Sequence, residues 1–343
     1  MRYFSEANFR GNHAGTKARN DADAILKAYG ARPINTRVLE LRDSGHEYIK
    51  SNIANRLGFV RYFWDLLFVR KETVVIQYPM LAFDIQYEYV NKLSKNNTVV
   101  FLVHDVQSLR RNDPVGLKKE IEILNLADIL IVHNRFMEKK LSDLGICPKK
   151  FIRLQCFDYL FEGKIQDHSK QFGVAFAGNL EKSEFLEHLC AENDQITFNF
   201  YGPGWNSKLE HADNAVYEGS FNPDEIPEKL QGRYGLIWDG KTTTECSGIM
   251  GEYTKINNPH KMSLYIAAGM PVIAWKDAAI AEFISENGIG VVVERINNLQ
   301  TILNSITEQQ YMQMRENICK IRNSLICGEY LKKALFEAEK GVD

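Results

Sequence analysis

Short apolar, often β-branched runs, each followed by a longer segment of helical periodicity, recur along most of this chain. The runs occupy residues 73–77, 98–103, 129–132, 173–177, 196–201, 234–238, 271–275 and 290–293. Helical patterns lie at 16–29, 113–125, 134–144, 183–190, 259–268 and 278–286. Strands separated by helices imply parallel sheets with right-handed crossovers, covered by helices on both faces. The helix ending at Ala268 is followed by Gly269-Met270-Pro271, a left-handed stop and then a residue that cannot continue it. The polar stretch 157–170 breaks the alternation. It predicts one doubly wound α/β domain over 1–160 and a second over 161–318. The charged segment 308–340 is expected to be helical, with 319–343 packing back on the first domain.

At 343 residues the length fits about two domains. Lys and Arg number 42 against 44 Asp and Glu, a net charge of −2 that argues against nucleic acid as a partner. Cys147, Cys156, Cys190, Cys246, Cys319 and Cys327 form no C-x-x-C pair and complete no zinc motif, so they read as reduced thiols. The start Met1-Arg2-Tyr3-Phe4-Ser5-Glu6 lacks the apolar core of a signal peptide, which predicts a cytoplasmic protein. The aromatic segment 59–71, with basic ends, is either a core helix or a contact with the inner face of a membrane.

The segment Asn257-Asn258-Pro259-His260-Lys261 carries the strongest chemical signal. Asn258 is a good N-cap and Pro259 suits the first helical position. His260 and Lys261 then fall in the first turn, and Ser263 close behind. A helix dipole favours a cation at its other end by about 0.3–1 kcal/mol. A Lys here makes sense if an anion such as phosphate joins it; the alternative is a capped helix with a solvated Lys. In Ala177-Gly178-Asn179-Leu180-Glu181-Lys182, Gly178 would let backbone approach a ligand and Lys182 could reach a second phosphate, or the segment is a routine turn. His104-Asp105 ends a buried run and offers a general base or an ordinary cap. In Asn12-His13-Ala14-Gly15-Thr16-Lys17, Gly15 and Thr16 either cap the helix at 16–29 or offer amides to a ligand. Phe221 could stack on a base or plug a turn, and Asp239 could bind sugar hydroxyls or start one.

Asp21-Ala22-Asp23 matches a metal-binding D-x-D but falls in a helical segment, where its two carboxylates diverge. No G-x-G-x-x-G, G-x-x-x-x-G-K-[ST] or G-x-S-x-G occurs, which weakens dehydrogenase, NTPase and hydrolase readings.

Several segments together resemble the bacterial β-1,6-galactofuranosyltransferases of O-antigen assembly. These are Asn8-Phe9 through Asp21, His104-Asp105, Tyr159-Leu160, Ala177 to Leu180, Gly235 to Gly240, Cys246-Ser247-Gly248, Asn257 to Lys261, and 277–283. A looser similarity extends to the glucosyltransferases that glycosylate bacterial adhesins. The resemblance implies a GT-B fold: two Rossmann-like domains facing a central cleft, the first binding the acceptor and the second a UDP-sugar. It implies that Lys182 and Lys261 contact the diphosphate, that Thr16 reaches it from the opposite wall, and that Asn258, His260 and the amides near Ser263 line the site. The common GT-B pair of glutamates is absent; Ile256 and Leu264 stand in those places, so ribose recognition has no assignment.

The expected reaction is transfer of galactofuranose from UDP-galactofuranose to a saccharide acceptor that could be lipid-linked. No divalent metal or other cofactor is expected, because fixed cations and a helix start can neutralise the leaving diphosphate. For an inverting reaction Asp105 is the expected base, with His104 and His13 as substitutes. Two alternatives remain at this level: glucose transfer from UDP-glucose to a glycopeptide or glycan, and a non-catalytic partner of a glycosyltransferase. Homo-oligomerisation is compatible with either.

Overall fold

A computed structural model of the chain describes residues 1–4, 14–34, 68–80, 86–205 and 209–341. The chain divides into two compact units. The first draws on Met1–Gly11, Ala18–Leu154 and Tyr330–Asp343, and the second on Asn12–Lys17 and Gln155–Glu329. Among the described residues no helix is long and apolar enough to cross a membrane.

The first unit is built on a six-stranded, all-parallel sheet in the order β2-β1-β3-β4-β5-β6. Its strands are β1 (Arg2–Phe4), β2 (Arg32–Ile34), β3 (Thr73–Tyr78), β4 (Thr98–Val103), β5 (Ile129–Val132) and β6 (Lys150–Arg153). Residues 74–76, 99–103 and 129–132 are buried throughout, as parallel strands covered on both faces require. The helices that flank them include residues 18–28 of the helix Ala14–Ala28, and Pro114–Leu124 and Arg135–Asp143. Asp113 and Asn134 cap the last two, each accepting two backbone N–H groups of the first turn. The helix Glu329–Glu339 also belongs to this unit, and Lys150 Nζ donates to the Glu337 carbonyl at 3.2 Å.

The second unit holds β7 (Val174–Ala177), β8 (Phe198–Tyr201), β9 (Ala215–Gly219), β10 (Tyr234–Ile237), β11 (Val272–Trp275) and β12 (Gly290–Val293). They form another parallel sheet, ordered β12-β11-β10-β7-β8-β9. The order reverses between β7 and β10. Such a switch point leaves a crevice at the carboxyl ends of the strands, where open α/β sheets bind ligands. Here the two strands pair only at Tyr234 with Val174 and Gly235 with Ala175. Beyond that the phenol of Tyr265 enters. Its hydroxyl accepts from the Ala177 amide at 2.9 Å and donates to the Leu236 carbonyl at 3.2 Å. Gly235 lies under the ring, where an added Cβ would sit 2.3 Å from Tyr265 Cγ.

Tyr265 is carried on the helix His260–Ala268, whose far end is firmly closed. Gly269 adopts φ 81°, and Met270 donates back to the Tyr265 carbonyl at 2.9 Å. Arg322 Nε donates to the Ala267 carbonyl at 2.7 Å and His168 Nε2 bonds the Ala268 carbonyl at 3.1 Å. Ser263 Oγ donates to the Phe157 carbonyl at 2.7 Å. The helix is therefore fixed against both the sheet and the connecting segment that follows Gln155.

The segment 308–340 is helical as expected, in two pieces, Glu308–Leu325 and Glu329–Glu339, parted where Gly328 takes φ 80°. One expectation is corrected. The helix expected from Thr16 starts at Ala14, so Gly15 and Thr16 stand inside its first turn rather than capping it. Of the aromatic segment 59–71, residues 59–67 lie outside the described residues.

Two measurements test these packing arguments. Gly235→Ala should lose about 1–3 kcal/mol of stability through overpacking against Tyr265, read as a lowered midpoint in urea unfolding. In the first unit, His133 is buried with Nε2 bonded to the Val103 carbonyl at 3.0 Å. Burial outweighs its backbone hydrogen bonds and lowers its pKa from 6.5 to about 4. The folded state thus resists a proton that the unfolded state accepts, so the contribution is present above pH 6.5 and is lost as pH falls toward 4. Unfolding free energy should fall by about 1–2 kcal/mol more in the wild type than in His133→Gln between about pH 7 and pH 5.

Candidate functional site

The crevice between β7 and β10 gathers a small set of side chains within the second unit. Lys261 stands in the first turn of the helix His260–Ala268 and shares a helix face with Tyr265, four residues on. Its Nζ lies 4.7 Å from the centre of the Phe176 ring on β7 and 3.7 Å from a carboxylate oxygen of Asp239, just past β10. At 3.7 Å the Asp239 contact is an ion pair without a hydrogen bond. A Cβ on Gly178 would come within 3.2 Å of Lys261 Cε, so the end of the lysine runs close over the bare backbone of that turn.

The start of this helix differs in detail from the sequence expectation. Pro259, with φ −68° and ψ 138°, occupies the N-cap, and His260 is the first helical residue. Asn258 does not cap: its Nδ2 donates to the Gln155 carbonyl at 2.6 Å. No side chain caps the helix, which leaves its first amides without that partner. Ser263 is fully buried with its hydroxyl turned to Phe157, so only its backbone can take part in a site there.

The His260 imidazole, which the resemblance places in the lining of the site, is held by neighbours within the second unit. The ring stacks on Tyr159 at 5.0 Å and 26° and hydrogen-bonds the Asp158 backbone. Its Nε2 is sealed from solvent and has no hydrogen-bond partner. The Asp158 bond therefore belongs to Nδ1. Burial first, and the charge of Lys17 in addition, lower the pKa to about 4. A neutral ring that donates from Nδ1 presents a bare lone pair at Nε2, which accepts and cannot donate to phosphate.

Asn179 Oδ1 accepts from the Lys182 amide at 3.1 Å, closing the turn after β7; the Lys182 side chain is exposed. Phe221 is half-buried, 6.2 Å from Tyr201, after β9. Thr16 is buried in the second unit. Beside it, Lys17 is a larger participant than the sequence indicated. Its Nζ pairs with Asp224 at 2.6 Å, donates to the Leu160 carbonyl at 2.7 Å and lies 5.0 Å from the Tyr159 ring centre. Tyr159 in turn donates its hydroxyl to the Pro223 carbonyl.

In the first unit, Asp105 follows β4 and is ion-paired with Arg110 at 2.9 Å, which fixes the carboxylate's orientation. His104 Nε2 lies 2.7 Å from Gln77 Oε1. Gln77 Nε2 already donates to Asp23, so its oxygen accepts and His104 carries the proton on Nε2. In the neutral ring the basic atom is then Nδ1. Asp23 is thus engaged with Gln77, and Asp21 is buried. His13 lies outside the described residues.

Tyr265 carries no recognised motif. The available signal was a lone tyrosine in an otherwise apolar helix interior, at i+4 from Lys261.

Comparison with known proteins agrees with this architecture. Family models for the N-terminal and C-terminal domains of the Glucosyltransferase 3-like family match residues 2–156 and 174–338. The β-1,6-galactofuranosyltransferase WbbI of Escherichia coli is 32% identical over 346 residues, covering 98% of each chain. Glucosyltransferase 3 of Streptococcus gordonii is 26% identical, covering 94% of this chain and 92% of its own. Among solved structures, WaaG, a glycosyltransferase involved in lipopolysaccharide biosynthesis, superposes with a TM-score of 0.57 at 12% identity, over 97% of this chain and 98% of that one. An α,α-trehalose-phosphate synthase (UDP-forming) from Burkholderia vietnamiensis gives 0.56 at 9% identity, over 88% and 81%. The fold is GT-B, with two Rossmann-like domains. The chain belongs to the Glucosyltransferase 3-like family and is a glycosyltransferase.

Proposed function

We propose that the protein transfers a hexose, with galactofuranose favoured, from its UDP-linked form to a saccharide acceptor of cell-surface polysaccharide. The observation that carries the donor half of this reading is Lys261. It is a lysine set against the dipole of its own helix, at a helix start with no side-chain cap, running close over the bare backbone of the turn at Gly178. The leaving group of a UDP-sugar is a diphosphate. Lys261, the first amides of the helix and Lys182 would neutralise the charge that builds on it, which removes the need for a divalent metal. The second unit accordingly binds the donor, and the first takes the acceptor. The galactofuranose preference rests on the E. coli relative at 32% identity.

The proposed chemistry is an inverting displacement. The acceptor oxygen forms a bond to the anomeric carbon as the bond to the diphosphate oxygen breaks, and the hydroxyl proton passes to Asp105. His104 is the substitute base, through Nδ1. A lipid-linked acceptor fits the same reading. The second reading is glucose transfer from UDP-glucose to a glycan or glycopeptide, which the streptococcal glucosyltransferase relatives favour. Donor hydrolysis with UDP-galactofuranose and UDP-glucose, compared side by side, separates the two.

Lys261→Ala should weaken UDP binding by roughly a hundredfold or more in calorimetry; unchanged affinity would remove the basis of the donor site. Asp105→Asn should lower kcat by roughly 10²–10⁴-fold while leaving UDP affinity intact. Transfer should persist in excess EDTA, and its complete loss there would overturn the metal-free assignment.

A further inference from the structure

In the first unit, four donors among the described residues converge on one carboxylate, that of Glu120 on the helix Pro114–Leu124. Its Oε1 accepts from the Tyr78 hydroxyl at 2.9 Å and from the Gln107 amide at 3.1 Å. Its Oε2 accepts from the Ser108 amide at 2.8 Å and from the Ser108 hydroxyl. Gln107 and Ser108 open the helix Gln107–Arg111, and Val106 at its N-cap makes no side-chain cap bond. A helix of five residues does not hold itself, because nucleation is unfavourable and short helices are marginal alone. Glu120 thus supplies, from a neighbouring helix, the cap that Val106 lacks.

What this helix carries is Arg110, whose Nη1 donates to Asp105 Oδ2 at 2.9 Å. The segment between β4 and the helix is tied at both ends. The His104 amide donates to the Tyr78 carbonyl at 2.8 Å, and the hydroxyl of the same tyrosine lies on Glu120. Val106, between Asp105 and the helix, is fully buried. A shift of the helix start would therefore carry Arg110 with it, and with Arg110 the Asp105 carboxylate. Resting on the assignment of Asp105 as the base, we infer that Glu120 is a positioning residue for the transfer reaction. It fixes the start of the helix Gln107–Arg111 and, through Arg110, the place and orientation of the Asp105 carboxylate. A Glu120 that only stabilised the unit would leave turnover of the folded protein unchanged.

The test is a double-mutant cycle in the full chain on Glu120→Gln and Asp105→Asn. Gln keeps the size of the side chain but offers one accepting oxygen in place of two and turns an NH2 toward the donors. Turnover is read as release of UDP from UDP-galactofuranose and from UDP-glucose, with water and with methyl hexosides as acceptors. UDP affinity is read by calorimetry and folding by thermal melting. Glu120→Gln should lower kcat roughly tenfold to a hundredfold while leaving UDP affinity unchanged. In the Asp105→Asn background the same substitution should cost less than about twofold more, because the group it positions is already lost. Ser108→Ala, which removes one of the four donors, takes its place if Glu120→Gln does not fold, with a severalfold loss of kcat and the same pattern across backgrounds. Wild-type kcat in the folded variant, an equal loss in both backgrounds, or a loss carried by UDP affinity overturns the inference. Wild-type kcat in Asp105→Asn instead overturns the base assignment, and the inference with it. A wild type that releases UDP from neither donor overturns the sugar-nucleotide reading beneath both.

Discussion

The hydroxyl of Tyr265 is the interaction on which the geometry of the second unit's crevice depends. It lies where β7 and β10 part, taking the amide of Ala177 and giving its proton to Leu236. Those backbone groups would otherwise be left unpaired in the sheet interior, a cost comparable to a lost hydrogen bond for each. The phenol satisfies them and also fixes the depth of its helix over the crevice. Gly235 is the matching concession in the strand beneath. One turn back along the same helix, Lys261 is thereby carried to the crevice mouth, between Phe176 and Asp239.

The two ends of that helix make an instructive contrast. At the carboxyl end, Arg322 donates to the Ala267 carbonyl, a cation where the dipole welcomes one. At the amino end stands another cation, Lys261, where the dipole opposes it. Asp239 offsets part of that opposition at 3.7 Å but makes no hydrogen bond. A bound anion would complete the arrangement by meeting lysine and helix amides together. The neutral His260 beside it adds no charge to the helix start.

How much of this was legible in the sequence follows from where the determining forces act. The strands at residues 74–76, 99–103 and 129–132 are buried on both faces, and continuous apolar runs announce them. By contrast, β2 and β6 are sheet edges written as Arg-Pro-Ile and Lys-Phe-Ile-Arg, too short and polar to stand out. The place of Lys261 in a helix's first turn was legible because helix starts are set locally. Asn258 was misplaced as the cap because its side chain is drawn to the carbonyl of Gln155, a partner 103 residues away. The same holds for Tyr265 and for the Lys17 contacts with Leu160 and Asp224. The state of His260 likewise depends on Asp158 and Tyr159, which no local pattern brings to it.

The account's central claim is that the diphosphate is held by Lys261 and the open start of its helix without a metal ion. A crystal of the full chain grown with UDP tests this most directly. The account predicts diphosphate oxygens within about 3 Å of Lys261 Nζ and of the backbone amides of His260 and Lys261, with no metal density bridging the phosphates. Diphosphate bound elsewhere, or coordinated by a divalent ion, would contradict it.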